Sequence, residues 1–290
     1  LRFVGVGWYR TEFDVPPFQA GKRATILFDG AMSHANVYIN GQKVGYWPYG
    51  YNSFHFDITK YLKPGEKNTL AVRLENLPES SRWYPGAGLY RNVHLIITED
   101  AYIPVWGTYI TTPSVNEKFA KVNVRTKVVL PEGADPAKYS VETSVWNPNK
   151  QKLTAVRTSL AQMKYNNNQA EQEFVIQAPS LWSPEMPALY SAETRLYEGD
   201  KLKDIYTTPF GIRSIEIIPD KGFFLNGKRT VFKGVCNHHD LGPLGAAVND
   251  AAIRRQIRIL KDMGCNAIRT SHNMPAPELI RACDEMGMMI

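Results

Sequence analysis

The chain has 290 residues, of which 43% are hydrophobic and 21% are charged, as is typical of a soluble globular protein. No stretch approaches the roughly 18 apolar residues of a membrane-spanning helix, and the first residues lack the pattern of a signal peptide. The formal net charge is +6, but lysines and arginines are spread singly, without the basic stripe of a nucleic-acid-binding protein. We therefore expect no membrane and no nucleic acid among the partners. Localisation stays unknown: the protein could be periplasmic, secreted or cytoplasmic, because a removed signal peptide leaves no trace.

Short alternating runs separated by turn residues predict an antiparallel β-sandwich over residues 1–99. Asn40-Gly41 and Pro64-Gly65 are typical turn pairs, and the segment from Ala35 to Gly45 is the strongest local hairpin. The predicted strands are Trp8–Val15, Arg23–Phe28, Ala35–Ile39, Phe54–Ile58, Thr69–Leu74 and Asn92–Ile97.

Two features of this first region are candidates for ligand binding. The aromatic residues that cluster there can stack on the C–H face of a pyranose, although sandwich cores also use aromatics and we favour the core for each single one. They are Tyr46, Trp47, Tyr49, Tyr51 and Phe54. The loop from Glu75 to Gly88 is polar and long, as functional loops often are. It carries Asn76, Arg82, Trp83 and Tyr84.

A second all-β domain is predicted over residues 100–213, and its strand count suits an immunoglobulin-like sandwich. No disulfide can brace it, because Cys236, Cys265 and Cys283 lie further along the chain, where we expect free, buried thiols. We assign this domain a scaffolding role. Its predicted strands are Ala120–Leu130, Tyr139–Trp146, Leu153–Leu160, Ala170–Ile176 and Tyr190–Tyr197.

The pattern changes over residues 214–290, where a small hairpin at Phe223–Gly227 precedes β-α-β units. Apolar strands are predicted at Thr230–Val235 and Ala267–Ile268. The segment between them has one apolar helix face, with Asn249 and Asp250 as caps and Gly264 as the stop. A second helix begins near Pro275 and Pro277 and stops at Gly287, and Met288–Ile290 opens a third strand. The predicted apolar faces are Ile253, Ile257, Leu260 and Met263, then Leu279, Ile280, Cys283 and Met286.

Polar clusters follow both predicted strands. Consecutive βα units imply a parallel sheet covered by helices. In a βα barrel, residues at the carboxyl ends of such strands line the active site. One histidine beside an apolar run is more often a core residue, but two clusters at matching positions favour a polar pocket. The clusters are His238, His239 and Asp240, then Arg269, Ser271, His272 and Asn273.

The sequence around these polar clusters resembles that of a known family. The runs FKGVCNHHD and NAIRTSHN are similar to the start of the catalytic barrel in glycoside hydrolase family 2, which includes β-galactosidases, β-glucuronidases and β-mannosidases. RWYPGAGLYRNVHLI at Arg82–Ile96 and GVGWYRTEFDV at Gly5–Val15 resemble the sugar-binding domain of the family. The resemblance implies a mainly β fold: a jelly-roll sugar-binding β-sandwich, an immunoglobulin-like β-sandwich, and the first βα units of an incomplete TIM (β/α)8 barrel.

The resemblance also implies roles for particular residues. His239 and His272 would bind substrate hydroxyls, Arg269 would hold a nucleophile ionised, and Asn76 would reach the site from the first domain. Asn237, His238 and Asp240 would support them, although some relatives carry arginine at the position of His238. The catalytic pair of glutamates belongs to later barrel strands, beyond Ile290, so we expect a truncated, inactive fragment without catalytic residues. We expect Glu278 and Glu285 to be solvated surface residues.

The function implied is that of part of a retaining exo-β-glycosidase, for which we favour a β-galactosidase. The alternatives are a β-glucuronidase or β-mannosidase, a non-catalytic carbohydrate-binding module and, less favoured, a purely structural sandwich. The expected partner is a carbohydrate, and homo-oligomer formation stays open. Some relatives bind Mg²⁺ or Na⁺, but no carboxylate cluster in this sequence has the spacing of metal ligands.

Overall fold

The computed structural model describes residues 5–17, 21–79, 86–161 and 169–290. The chain is mainly β and divides into two compact units. The first contains residues 1–98, 234–282 and 290, and the second contains residues 99–233 and 283–289. No helix in the described ranges is long and apolar enough to cross a membrane.

The sandwich of the first unit consists of two antiparallel sheets. Along β6, Leu70, Val72 and Leu74 are buried while the residues between them are not, which is the alternation of a strand with one face in the core. The strands are β1 (Gly5–Asp14), β2 (Arg23–Phe28), β3 (Ala35–Ile39), β4 (Gln42–Trp47), β5 (Phe54–Asp57), β6 (Lys67–Asn76) and β7 (Val93–Thr98). The strand orders are β1-β6-β3-β4 and β5-β2-β7. The predicted hairpin is present between β3 and β4, with positive φ at Asn40 and Gly41.

The second unit is also a sandwich. Its strands are β8 (Thr108–Val115), β9 (Phe119–Lys127), β10 (Tyr139–Trp146), β11 (Lys152–Ser159), β12 (Gln169–Gln177), β13 (Leu189–Glu198) and β14 (Lys201–Gly211), in the orders β11-β10-β13-β14 and β12-β9-β8. Strands β8 and β14 were not expected from the sequence. Both lie at sheet edges, where proline and charged residues are tolerated and the apolar alternation is weak.

A small sheet follows in the same unit, formed by β15 (Ile215–Ile218), β16 (Gly222–Leu225) and β17 (Lys228–Arg229). It contains the predicted hairpin. Nearby, Trp182 is 4% exposed and its Nε1 donates a hydrogen bond to the carbonyl oxygen of Asp284 at 2.8 Å. Asn226 Nδ2 donates to the carbonyl oxygen of Trp182 at 3.0 Å.

The remaining elements form a β-α-β unit and a second helix: β18 (Gly234–Asn237), α1 (Asp250–Asp262), β19 (Ala267–Thr270) and α2 (Pro277–Met286). Strands β18 and β19 pair in parallel, as predicted. Asn249 caps α1 by accepting a hydrogen bond from the backbone N–H of Ala252 at 2.9 Å. Gly264 follows the helix with φ +85°, a value that favours glycine.

Several predictions in this region are wrong in detail. The first barrel strand does not span Thr230–Val235: β18 begins at Gly234, because only Gly234–Asn237 pairs with β19. Met263 and Ile280 are 69% and 44% exposed, so they do not lie on buried helix faces. Met288–Ile290 contains one bridge residue, Met289, instead of the expected strand. The three cysteines are free, but only Cys283 is buried: Cys236 is exposed and Cys265 is half-buried.

Candidate functional site

The parallel pairing of β18 and β19 depends on Gly234. A Cβ atom at this position would lie 1.8 Å from the carbonyl oxygen of Ala267, which is its partner across the strands. No side chain fits there without separating the two strands. The close approach fixes the register that places Cys236 opposite Arg269.

Arg269 organises one group of polar side chains at the carboxyl ends of these strands. Its Nη2 donates to Nδ1 of His272 at 2.9 Å, and its Nη1 donates to Oγ of Ser271 at 3.2 Å. Because a guanidinium has no acceptor, Nδ1 of His272 must accept, and the neutral ring carries its proton on Nε2. The ring of His238 lies 6.1 Å from that of His272, nearly perpendicular to it. We call Arg269, Ser271, His272 and His238 the strand-end cluster.

His239 faces a different environment. Its ring lies 5.0 Å from the ring of Tyr51 and 6.1 Å from that of Tyr90, edge-on in both cases. Tyr51 and Tyr90 are buried together with Met32, and Ala246 packs against them. Tyr90 donates its Oη proton to the carbonyl oxygen of Gly50 at 2.8 Å, and burial raises the pKa of Tyr90 to about 12. The rings of His238 and His239 therefore contact different neighbours, His272 in the first case and the two tyrosines in the second.

Arg91 connects the sandwich of the first unit to the loop that follows β19. Its Nη1 donates to the carbonyl oxygens of Tyr51 at 2.8 Å and Asp29 at 3.2 Å, and its Nη2 donates to that of Met274 at 2.9 Å. The guanidinium also lies over the ring of Tyr90, 4.9 Å from its centroid. Burial lowers the pKa of Arg91, but an arginine stays charged at neutral pH.

Two more hydrogen bonds cross the same boundary. Asn92 Nδ2 donates to Oε1 of Glu278 at 2.6 Å, and Tyr49 Oη donates to Oδ1 of Asn273 at 3.4 Å. The expectation that Glu278 is simply solvated is therefore wrong, because its carboxylate binds the sandwich. Glu285 is exposed, as expected.

A cavity of ≈540 Å³ lies within the first unit, in the size range of small-molecule sites. Its walls come from residues 89–94 of the sandwich, the segment after β18, the start of α1, and the segment from Thr270 to Arg281. The sequence-predicted residues on its wall are Asn237, His238, His239, Asp240, Ser271 and Asn273. Arg269, His272 and Asn76 are not among the described residues that line it.

Asn76 is the last residue of β6 and lies opposite Gly5 of β1. Its Oδ1 is buried and has no hydrogen-bond partner in the described part of the chain, and the same holds for Nδ2 of Asn237. Buried polar atoms without a partner are uncommon in folded proteins. Arg82, Trp83 and Tyr84, the other candidates in that loop, lie outside the described residues.

A carboxylate on the cavity wall joins the two helices. Asp250 accepts from Nε of Arg254 at 2.8 Å and from Nη2 of Arg281 at 3.1 Å. These hydrogen bonds, that from Arg254 first, hold the pKa of Asp250 below its usual range. Asp250 therefore connects α1 to α2. No group of three or more His, Cys, Asp or Glu residues placed to hold a metal ion occurs within the ranges that the structure covers.

Sequence reasoning found the strand-end residues but missed the residues that support them. Tyr90 and Arg91 lie within the stretch from Arg82 to Ile96 that resembles the sugar-binding domain, but nothing local in the sequence distinguishes them from their neighbours. The contact from Arg91 to Met274 joins residues 183 positions apart. The density of aromatics around Tyr49 and Tyr51 was the one signal that pointed to this region.

Three family models match consecutive parts of the chain. The sugar-binding domain of glycosyl hydrolases family 2 matches residues 2–99, a second domain of glycosyl hydrolases family 2 matches residues 102–213, and the TIM barrel domain of that family matches residues 216–290. Together they account for nearly the whole chain.

Individual relatives agree with these matches. The chain is 45% identical to beta-galactosidase BoGH2A of Bacteroides ovatus over 99% of its own length and 34% of the relative. It is 33% identical to a beta-glucuronidase of Bacteroides fragilis, over 98% of the chain and 42% of the relative. It is similar to the crystal structure of a glycosyl hydrolase family 2 member from Bacteroides cellulosilyticus, with a TM-score of 0.90, 37% identity, and coverage of 98% of this chain and 36% of that one. The chain thus spans about a third of the length of these relatives.

Proposed function

The chain belongs to glycosyl hydrolase family 2, and on that premise we propose that it forms the amino-terminal part of a retaining exo-β-glycosidase that acts on β-galactosides. The observation that carries the proposal is the strand-end cluster. It brings Arg269, His272 and His238 together at the carboxyl ends of adjacent parallel strands, where barrel enzymes hold their active sites. The similarity to the Bacteroides ovatus beta-galactosidase supports the choice of sugar.

The cluster suits the recognition of a sugar ring. The neutral His272 presents an N–H at Nε2, which donates to a hydroxyl oxygen or to charge that develops on oxygen in the transition state. Arg269 fixes the orientation of that ring through Nδ1 and supplies a positive charge. A cation at this position favours the ionised form of a nearby carboxylate. Residues held by such contacts are pre-oriented, which lowers the cost of binding the transition state.

We assign the sugar-facing role to His238 and a supporting role to His239, the reverse of the assignment from the sequence. The structure supports this assignment because His238 lies beside His272, whereas His239 packs against Tyr51 and Tyr90. Asn76 Oδ1 and Asn237 Nδ2 are buried and have no hydrogen-bond partner among the described residues. Both atoms are therefore suited to bind a polar group of a ligand. Asp240 lies on the cavity wall, and we assign it a supporting role as well.

Retaining glycosidases use two carboxyl groups roughly 5–5.5 Å apart, one as acid and base and the other as nucleophile. We propose that this chain supplies neither. Two of the carboxylates on its cavity wall have other partners, since Asp250 binds Arg254 and Arg281 and Glu278 binds Asn92. The chain would then position the sugar without cleaving it. The proposed organisation is three domains, 1–99, 100–213 and 214–290, and the ranges of the three family matches support it.

A side-by-side assay tests the proposal. The 290-residue chain and the product of the complete gene are each incubated with 4-nitrophenyl β-galactoside, β-glucuronide and β-mannoside. We expect hydrolysis of the β-galactoside by the complete product and none by the chain alone. A preference for the β-glucuronide would instead favour β-glucuronidase activity, which is the activity named for the Bacteroides fragilis relative. If the complete product cleaves none of the three but binds sugar, the chain is part of a binding module.

A further inference from the structure

The cavity of ≈540 Å³ lies directly beside the strand-end cluster, because His238 and Ser271 belong to both. The other two members of the cluster, Arg269 and His272, do not line the cavity. A sugar ring held by Arg269 and His272 would therefore reach the cavity at one end only. The rest of the volume is available to the group that is attached to that sugar.

Much of the cavity wall is apolar. The apolar side chains come from the sandwich, from the segment after β18 with the start of α1, and from α2; among them are Leu89, Leu241, Val248, Ile253 and Leu279. An apolar group in the cavity would lose contact with water on several sides, which favours its binding.

The charged groups at the wall or directly behind it nearly balance one another. Asp250 is bound by Arg254 and Arg281, and Oδ2 of Asp29 lies 2.9 Å from Nε2 of His94. The full set is Arg91, Arg254 and Arg281 against Asp29, Asp240, Asp250 and Glu278. An anion is disfavoured because positive charge is not in excess, and these pairings leave little to attract a cation. Burying an unpaired charge is costly, so the wall favours a neutral occupant.

The wall is held in place before any ligand binds. Ala246 packs against the buried rings of Tyr51 and Tyr90, and the backbone N–H of Leu241 donates to the carbonyl oxygen of Gly245 at 3.0 Å. These contacts fix the segment after β18 against the sandwich. A cavity that needs no rearrangement binds its ligand at a lower entropic cost.

We propose that the cavity binds the aglycone of the substrate, which is the group attached to the sugar through the scissile bond, and that it selects a neutral, apolar aglycone such as an aryl group. The apolar wall stabilises this group, the balanced charges disfavour an ionised one, and the shared His238 and Ser271 place it next to the sugar. This assignment rests on the proposed hydrolase function and adds to it the class of substrate that the enzyme prefers.

Calorimetry on the complete gene product tests the proposal with three thioglycosides, whose sulfur linkage resists hydrolysis. Each carries the sugar that the complete product cleaves, and the aglycones are methyl, 2-naphthyl and 6-carboxy-2-naphthyl. We expect the naphthyl compound to bind at least about tenfold more tightly than the methyl compound, because its rings are removed from water. The carboxylated compound should bind more weakly than the neutral naphthyl compound, because its charge would have to be desolvated.

Two substitutions on the wall test where the naphthyl group binds. Ala247 is an exposed residue of the wall, and the indole of Ala247→Trp should fill part of the cavity and lower the affinity for the naphthyl compound about tenfold. Leu279→Ala removes an apolar side chain of α2 and should lower it about threefold or more. The affinity for the methyl compound should change by less than about threefold in both variants.

Ala155→Trp is the matched control. Ala155 is exposed, lies on β11 of the second unit and does not line the cavity. This substitution should leave the preference for the naphthyl compound unchanged, and circular dichroism should show that every variant is folded.

Equal affinity for the methyl and naphthyl compounds, tighter binding of the carboxylated compound, or an unchanged preference in both wall variants would overturn the proposal. Equal losses in Ala247→Trp and Ala155→Trp would also overturn it. These failures differ from failure of the proposed function. A complete product that cleaves none of the three 4-nitrophenyl glycosides refutes the function and the aglycone assignment with it, whereas one that cleaves a glycoside but shows no naphthyl preference refutes the assignment alone.

Discussion

Replacing Arg91 with methionine is the perturbation that most directly tests how the sandwich supports the site. Arg91 donates to carbonyl oxygens on both sides of the boundary, those of Tyr51 and Asp29 in the sandwich and that of Met274 after β19. Methionine has a similar length and keeps the apolar contact with Tyr90, but it has no donor. The substitution therefore removes the hydrogen bonds while leaving most of the packing.

The structure sets the expected magnitude. Tyr51 is 8% exposed, so its carbonyl oxygen would lose a charged donor in a buried place, which costs about 1–3 kcal/mol. Asp29 is 5% exposed, but its carbonyl oxygen would keep a weak hydrogen bond from Oγ of Ser53 at 3.4 Å. Met274 is 58% exposed, and water can replace the lost donor there. The substitution also removes the cost of desolvating a partly buried cation, and this offsets part of the lost stability. We expect a net loss of about 2–3 kcal/mol in the free energy of unfolding.

The assay is urea unfolding combined with amide hydrogen exchange. Because the chain has two compact units, exchange in peptides of the first unit is the cleaner measure of stability. We expect faster exchange at residues 271–276 and across residues 89–94, with residues 120–126 unchanged. Arg91→Lys keeps the charge but not the fork of donors, and it should recover only part of the loss.

Arg125→Met is the matched control for this experiment. The Arg125 guanidinium lies 4.9 Å from the ring centroid of Tyr109, as far as Arg91 lies from Tyr90, but Arg125 is exposed. Its replacement should cost at most about 1 kcal/mol. If Arg91→Met costs no more than Arg125→Met, the reasoning about the carbonyl contacts is refuted.

Three further predictions concern the β-α-β segment. Gly234→Ala should cost at least about 3 kcal/mol, because its Cβ would meet the carbonyl oxygen of Ala267 at 1.8 Å, and should expose the β18 and β19 amides to exchange. Gly7→Ala, with nothing nearer than 4.0 Å, is its control, and an equal effect would contradict the prediction. Asp250 has a folded pKa below its ordinary value of 3.8, so its stabilisation holds above that pH and is lost as the pH falls through the folded pKa. In acid titrations the difference in stability between the chain and Asp250→Asn should shrink below about pH 3.8, and a difference that stays constant would be inconsistent with this. Ile257→Ala should cost about 2–5 kcal/mol in denaturant unfolding, whereas Met263→Ala, at an exposed position, should change stability by less than about 0.5 kcal/mol. Equal effects would show that the burial of α1 is misassigned.

Much of the fold follows from local patterns. Strands β2, β3 and β10 have the bounds that alternation and turn residues predict, because one face of each is buried and turns follow β3 and β10. Strands β8 and β14 escaped notice because an edge strand pairs on one side only and need not alternate strongly. The predicted start of β18 was wrong for a different reason. The range Thr230–Val235 contains apolar residues that are exposed, Val231 by 58% and Phe232 by 55%.

The sequence predicts where the candidate site lies, but not how its side chains are arranged. The residue types at the ends of β18 and β19 were sufficient to find the strand-end cluster. Which histidine faces which way depends on the path of the chain after β18, because both follow Asn237, the last residue of that strand. Sequence alone does not predict that path, and the exchange of roles that we propose for His238 and His239 rests on their ring contacts in the structure. The supporting contacts of Arg91 and Asn92 join residues far apart in sequence and leave no local pattern.

Two histidine variants of the complete gene product test most directly which residues bind the sugar. Steady-state hydrolysis of 4-nitrophenyl β-galactoside is measured for His238→Asn and for His239→Asn. We expect kcat/KM to fall at least about 100-fold in the first variant, because a group that binds the sugar in the transition state is lost, and less than about tenfold in the second. The opposite order, or full activity of His238→Asn, would contradict the assignment of the strand-end cluster as the sugar-binding site.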